Sequence, residues 1–288
     1  MASFTAQTMA LQRALETAFP PSRRLVDDPL ASGFLSSGPL RAAARLASVP
    51  GAGRLVPKIY DLAWPGPRPS AVARTRLIDD TIRGLVQEGT RQVVILGAGY
   101  DSRAWRLPEL ACCRVIEVDR SETQRDKLGA LRASAVDPSP VVFCRVDFER
   151  DDLAAALTGE GLDTTVATMW LWEGVTNYLS AGAVDATLGV LAELSGPGSR
   201  LLFTFVHKGV LDGTASFPEA SRWMASVARV GEPWTFGLDP AGVGAFLAER
   251  GLGLCWECST AEAGRRYFRA AGRREHASEL YRVALASV

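Results

Sequence analysis

The chain has 288 residues, 47% hydrophobic and 22% charged, an ordinary composition for a soluble globular protein with one large core. Lys+Arg and Asp+Glu are both 32, so the formal net charge is zero. No overall field exists to hold a polyanion by counterion release, which argues against nucleic acid as a partner.

The opening MASFTAQTMALQRALETAFPPSRR carries polar residues and Glu16 where a secretory signal needs an apolar core. No stretch shows the run of about twenty uncharged residues that a spanning helix requires. A cytoplasmic protein without a membrane partner is the expectation. Residues 1–85 read as helices broken at PPSRR, SSGPL, SVPGAG and WPGPRPS, forming an N-terminal helical cap on a main domain over 86–288.

From Arg91 onward, apolar runs of strand length alternate with helix-like segments. QVVILGAG precedes DSRAWRLPEL, CRVIEVD precedes SETQRDKLGALRASA, and VVFCRVD precedes ERDDLAAALTGEG. TVATMWLWEGV, the helical AGAVDATLGVLAEL and RLLFTFVH follow. Continuous apolar strands with crossover helices predict an α/β, doubly wound, Rossmann-like sheet, mostly parallel and covered on both faces.

Residues 209–238 predict an irregular insertion after the fifth strand. Its Phe217, Trp223, Trp234 and Phe236 suit either a substrate lid or plain core. DPAGVGAFLAERG reads as helix, LGLCWECST as strand, GRRYFRAAGRRE as a basic loop, and YRVALASV as a last strand running antiparallel.

Five cysteines, at 112, 113, 144, 255 and 258, are an odd number and argue against a disulfide framework. Cys255 and Cys258 form a C-x-x-C, but zinc needs two further ligands and the only histidines are His207 and His276. No metal site is expected. The pair reads as buried cysteines acting as small apolar residues in a strand.

Gly97, Ala98 and Gly99 close the first strand with a G-x-G, which lets bare backbone approach a ligand beyond the strand ends. The dinucleotide fingerprint wants a third glycine where Ser102 stands, and no Tyr-x-x-x-Lys pair serves hydride chemistry, so NAD is disfavoured. Asp119 ends the second strand, where an acid accepts hydrogen bonds from a ribose diol. Asp147 and Phe148 end the third, suited to an adenine amine and ring face, although Asp147 equally suits the cap of a helix beginning near Asp151. Glu173 ends the fourth, where burial requires a cation or donors. Taken strand by strand, helix caps explain three such acids poorly.

In this order and spacing ARTRLIDDTIRG, VVILGAGYDSRAWRL, VIEVD, VDF and WLWEGVTNYLS resemble the leucine carboxyl methyltransferase family of class I S-adenosylmethionine-dependent methyltransferases. The resemblance is closest to the actinobacterial polyketide carboxyl O-methyltransferases of the tetracenomycin type, and runs from about Leu25 to the end. It implies S-adenosyl-L-methionine as cofactor. Arg74 matches the arginine on the methionine carboxylate and Gly97 the turn beside that moiety. Asp119 matches the ribose ligand, Asp147 and Phe148 the adenine-contacting pair, and Glu173 the acid near the methionine amino group. Where some members carry a lysine before Asp-Pro, LVDDPL offers Asp27, with Arg23 or Arg24 as substitutes.

The implied reaction is in-line methyl transfer to the carboxylate of a small molecule, giving a methyl ester. A carboxylate is ionised at neutral pH and needs no base. A phenolic or enolic hydroxyl would need one, and His207, closing RLLFTFVH, is the candidate, unless it only anchors the insertion. Tyr178 either lines the acceptor pocket or packs. A cofactor-binding protein that has lost turnover is the reading from another class.

Overall fold

The computed structural model describes residues 4–49, 55–64 and 66–288. Strands β1 (Gln92–Leu96), β2 (Arg114–Asp119), β3 (Val141–Arg145), β4 (Thr168–Trp172), β5 (Arg200–Val206), β6 (Gly253–Ser259) and β7 (Tyr281–Ser287) form one sheet. Its order is β3-β2-β1-β4-β5-β7-β6. Only β7 runs against its neighbours β5 and β6, as the sequence predicts for the last strand.

Strand periodicity explains the two cores. Val94, Leu96, Ile116, Val118, Trp170 and Trp172 point to one face, and Val93, Ile95, Val115, Met169 and Leu171 to the other. Both faces are covered, so the strands read as unbroken apolar runs. Chain order reverses between β1 and β4, and the strand ends there open the crevice where such sheets bind ligands.

The helices are α1 (Phe4–Thr17), α2 (Gly38–Ala47), α3 (Leu55–Ala63), α4 (Pro67–Gln87), α5 (Arg103–Arg106), α6 (Ser121–Ala133), α7 (Leu153–Gly159), α8 (Ala181–Leu194), α9 (Gly209–Asp212), α10 (Ala220–Arg229), α11 (Val243–Ala248) and α12 (Thr260–Ala270). The Pro/Gly punctuation sets helix starts: Pro39 and Pro67 sit in first turns, where a missing N–H costs nothing. The breaks at SVPGAG and WPGPRPS partly lie outside the described residues. The far end of α4 buries Ile78, Ile82, Leu85 and Val86 against the sheet. No helix among the described residues is long and apolar enough to cross a membrane.

Four local expectations need correction. GRRYFRAAGRRE is mostly helix: Ser259 and Glu262 form a reciprocal capping box, and Ala263, Tyr267 and Phe268 pack on Leu25, Val26, Val72 and Ala73. Arg265, Arg266 and Arg269 of the helix occupy the outer face and hide that stripe in the sequence. DSRAWRLPEL forms only the four residues of α5 and a 3₁₀ turn, because Pro108 interrupts the run. The 209–238 insertion contains α9 and α10 and is less irregular than expected. Cys255 is exposed and Cys258 half-buried, since β6 is an edge strand with a bulge between Leu254 and Trp256.

Candidate active site

The glycine turn begins the site. Gly97 has φ +65° and Gly99 φ +51°. A Cβ on Gly97 would stand 2.3 Å from Val175 Cγ2, so both backbone conformation and packing require glycine there. The Gly99 N–H donates to Asp119 Oδ2 at 2.5 Å and the Arg120 N–H to Oδ1 at 2.7 Å. Burial raises the Asp119 pKa, against the pull of these donors. The carboxylate is thus fixed by backbone at the end of β2.

The β4 end is fixed from β5. Thr204 Oγ1 accepts from the Gly174 N–H at 2.8 Å, and Thr176 Oγ1 donates to the Thr204 carbonyl at 2.6 Å. These bonds hold the loop from Glu173 to Tyr178 over the sheet edge. Glu173 lies between two arginines, Oε1 2.7 Å from Arg74 Nε and Oε2 2.8 Å from Arg103 Nη1. Burial opposes its ionisation, but Arg103 and Arg74 outweigh it and hold its pKa below the usual carboxylate range.

Arg74 spends only its Nε on Glu173. Its Nη2 faces Met9 Sδ at 3.8 Å, and the guanidinium stacks 4.8 Å over the Tyr281 ring. Arg103 is 3% exposed and ties Glu173 to Asp79 at 2.8 Å and to Asp101. Asp101 falls to about 2 because, against its burial, Arg103 and Lys127 stabilise the charge. Asp79 also takes Arg106.

A cavity of about 480 Å³ runs along this edge, a ligand-sized volume. Arg74, Gly97, Ala98, Gly99, Asp119, Asp147, Phe148, Glu173 and Tyr178 all line it. Asp147 does not cap the following helix; Asp152 does, accepting from the Ala155 N–H at 3.0 Å. Asp147 instead turns the chain, accepting from the Glu149 N–H at 3.1 Å. Phe148 packs on Trp172 with ring centroids 6.4 Å apart.

His207 stands apart from these residues and is not part of the cavity lining. Its Nδ1 accepts from the Gly209 N–H at 3.0 Å and its ring packs 5.4 Å from Phe217. With one ring nitrogen bound inside the turn, it anchors the insertion. Arg23 donates to the Gly272 carbonyl and Arg24 pairs with Asp27, so neither substitutes at the cavity. Arg13 of α1 does line it, fixed by Asp28 at 2.7 Å and the Tyr100 carbonyl at 2.6 Å.

Sequence reasoning missed Arg13, Arg103 and the wall formed by α1. The Arg103 signal was present in GAGYDSR, but its three acidic partners come from α4, the glycine turn and β4. The far wall is aromatic: Tyr60, Trp64, Trp223, Trp234 and Tyr281 join Tyr178. No group of three or more His, Cys, Asp or Glu side chains able to hold a metal occurs among the described residues.

An S-adenosyl donor fits these residues. Its zwitterionic amino-acid end matches the open side of Arg74 beside Glu173, its ribose the fixed Asp119, and its adenine Asp147 with Phe148.

Fold and site together define a Rossmann-like methyltransferase. Two solved structures share the fold: one from Thermobifida fusca, provisionally described as a methyltransferase, has TM-score 0.56 at 18% identity, covering 82% of this chain and 88% of that one. A DUF574 family protein from Streptomyces avermitilis has TM-score 0.55 at 17% identity, covering 82% and 90%. The family model for leucine carboxyl methyltransferase matches residues 6–192, and the chain belongs to that family. Among its relatives, a Frankia alni protein is 35% identical over 243 residues, 81% of this chain and 80% of that protein. One from Streptomyces coelicolor is 33% identical over 238 residues, 81% of each. Both carry the provisional name of S-adenosyl-L-methionine-dependent methyltransferase.

Proposed function

We propose that the protein is an S-adenosyl-L-methionine-dependent O-methyltransferase that converts a carboxylate of a small, polyketide-like molecule to its methyl ester. Bound S-adenosylmethionine supplies a sulfonium methyl group for in-line displacement. Arg74, Glu173 and Asp119 orient the donor, and the aromatic wall excludes water and aligns the acceptor. Desolvation favours a reaction in which charge is lost.

The observation that carries this reading is the position of His207. It lies outside the cavity lining, bound within its own turn. A carboxylate acceptor needs no such base. A hydroxyl acceptor is the second reading, and Glu232 favours it: this carboxylate lines the cavity and accepts a hydrogen bond from Thr5 of α1. It would receive the hydroxyl proton in place of His207.

Calorimetric titration with S-adenosylhomocysteine, with NAD and NADP as controls, tests the donor. Micromolar binding of S-adenosylhomocysteine alone is expected. Label from methyl-labelled S-adenosylmethionine then tests the acceptor. A methyl ester releases volatile methanol in mild alkali, whereas a methyl ether retains its label, so stable product would overturn the carboxylate reading.

A further inference from the structure

Helix α3 turns one side inward and leaves the other uncovered. Val56 and Tyr60, one turn apart, pack on the cluster that holds Leu11 and Leu15 of α1 with Ala44 and Ala47 of α2. Leu55, Ile59 and Leu62 repeat at the helical period on another side and are 58%, 56% and 81% exposed. Leu46 and Val49, at the end of the neighbouring α2, are exposed as well. A run of bare aliphatic side chains of this kind marks a surface that meets something other than water.

The run leads to the cavity. Trp64 follows the end of α3, packs on Tyr60 with ring centroids 6.0 Å apart, and is both 46% exposed and part of the cavity lining. The start of α10 lies beside it, where Arg222 donates to the Ala63 carbonyl at 3.3 Å. Phe4 of α1 and Val230, just beyond α10, are likewise exposed and line the same cavity. The uncovered apolar side therefore reaches the mouth of the acceptor end.

The charge on this side is positive. Helices α2, α3 and α10 carry five exposed cations, Arg41, Arg45, Lys58, Arg222 and Arg229, against one acid, Asp61, which is spent on the buried Arg68 at 2.5 Å. The flanking Glu219 and Glu232 accept hydrogen bonds from Ser278 and Thr5 and leave the cations in excess. In a chain of zero net charge that excess is local.

Two copies docked through this face would bring like charges together. An anionic bilayer surface satisfies both features: its phosphates meet the arginines and Lys58, while the aliphatic stripe and Trp64 enter the acyl boundary. Such a contact needs no spanning helix, so the expectation of no membrane partner, which rests on spanning segments, does not bear on it.

We propose that the side formed by α2 and α3, continued by Trp64 and the end of α10, docks on an anionic lipid surface and turns the cavity mouth toward it. The docking stands on this surface alone. Its use, passing an amphiphilic acceptor from lipid to donor without crossing water, rests on the methyltransferase reading.

The test is co-flotation of the full chain with vesicles of phosphatidylcholine alone and of phosphatidylcholine mixed with phosphatidylglycerol, at low and at high salt. The mixed vesicles should bind about tenfold more tightly or better, the order expected where several cations approach a charged surface, and high salt should remove the difference. Ile59→Ser combined with Leu62→Ser should weaken binding to the mixed vesicles roughly tenfold, because two aliphatic side chains lose their burial in lipid. Lys58→Glu should cost a similar factor, roughly tenfold, on the mixed vesicles. All three positions are exposed and outside the cavity lining, so S-adenosylhomocysteine affinity should stay at the wild-type value.

The proposal is overturned if neither vesicle binds, if both bind equally, or if the stripe and Lys58 variants bind as the wild type does, which would place the lipid contact elsewhere. Analytical ultracentrifugation of the same proteins supplies the other outcomes. A dimer that the stripe variant dissolves gives the face to a second copy, and a monomer that ignores both vesicles gives it to an acidic protein; either result overturns lipid docking. Failure of the methyltransferase reading would show separately, as absent S-adenosylhomocysteine binding with vesicle binding intact.

Discussion

The two ends of the cavity are built differently. The donor end consists of residues at or just beyond successive strand ends, Gly97, Asp119, Asp147 and Glu173, each fixed by backbone or by buried ion pairs. The acceptor end is assembled from α1, the α3 to α4 junction and the 209–238 insertion, joined by contacts such as the Arg222 donation to the Ala63 carbonyl at 3.3 Å. One end is a property of the sheet; the other depends on segments far apart in the chain. A rigid electrostatic frame for the constant reactant and a separately variable wall for the acceptor follow from that division.

The largest effect should come from the frame. Arg103→Met leaves Glu173, Asp79 and Asp101 short of a cation in a buried setting, and should cost about 3–5 kcal/mol in urea unfolding, the range for breaking a buried pair. A loss below about 1 kcal/mol would mean that Arg74 and Arg106 redistribute to cover the acids, and the frame would be less rigid than its geometry implies.

Asp119→Ala comes next. It removes the carboxylate that receives the Gly99 and Arg120 N–H groups, and S-adenosylhomocysteine affinity by calorimetry should fall by roughly tenfold to a hundredfold. Unchanged affinity would remove the ribose assignment and move the donor elsewhere in the cavity.

His207→Ala tests the acceptor side with a smaller expected change. The variant loses the bond from Gly209 and the packing on Phe217, costing about 1 kcal/mol of stability, while S-adenosylhomocysteine affinity stays put. With the true acceptor in hand, a collapse of kcat at unchanged affinity would return His207 to the reaction.

The same division explains what the sequence revealed. Gly97, Asp119, Asp147 and Glu173 were legible because a strand end followed by a charged residue is a local pattern, and the sheet brings such ends to one edge. Tyr178, in the same EGVTNYL segment as Glu173, was left between lining the pocket and packing, and it lines the cavity. Arg103 was harder: its importance depends on Asp79, which sits on α4 and faces it only after α4 packs on the sheet. Thr5, Met9 and Arg13 were illegible as site residues, since nothing in an amphipathic terminal helix states which surface it will cover. At His207 the sequence left base and anchor both open. Its position after β5 was read correctly, but side-chain direction there is set by Gly209 and Phe217, and strand position alone does not determine it.

The smallest expected effect is none at all, and it separates a carboxylate acceptor from a hydroxyl that ionises unaided. A carboxylate acceptor is ionised throughout the range from about pH 6.5 to 9. On the protein side, Glu173 is held below the usual carboxylate range by Arg103 and Arg74 despite its burial, so it stays charged over that range. Tyr178, pushed up to about 12 mainly by burial, keeps its proton over that range. No group in this reaction changes state, so kcat should be flat across the range. A phenolic acceptor without a neutral-pH base would instead gain roughly tenfold in rate per pH unit below its own pKa near 10. Glu173 and Tyr178 keep the same charge in both cases, so a rising profile would locate the titration on the acceptor and shift the reading to a hydroxyl that ionises without help from Glu232.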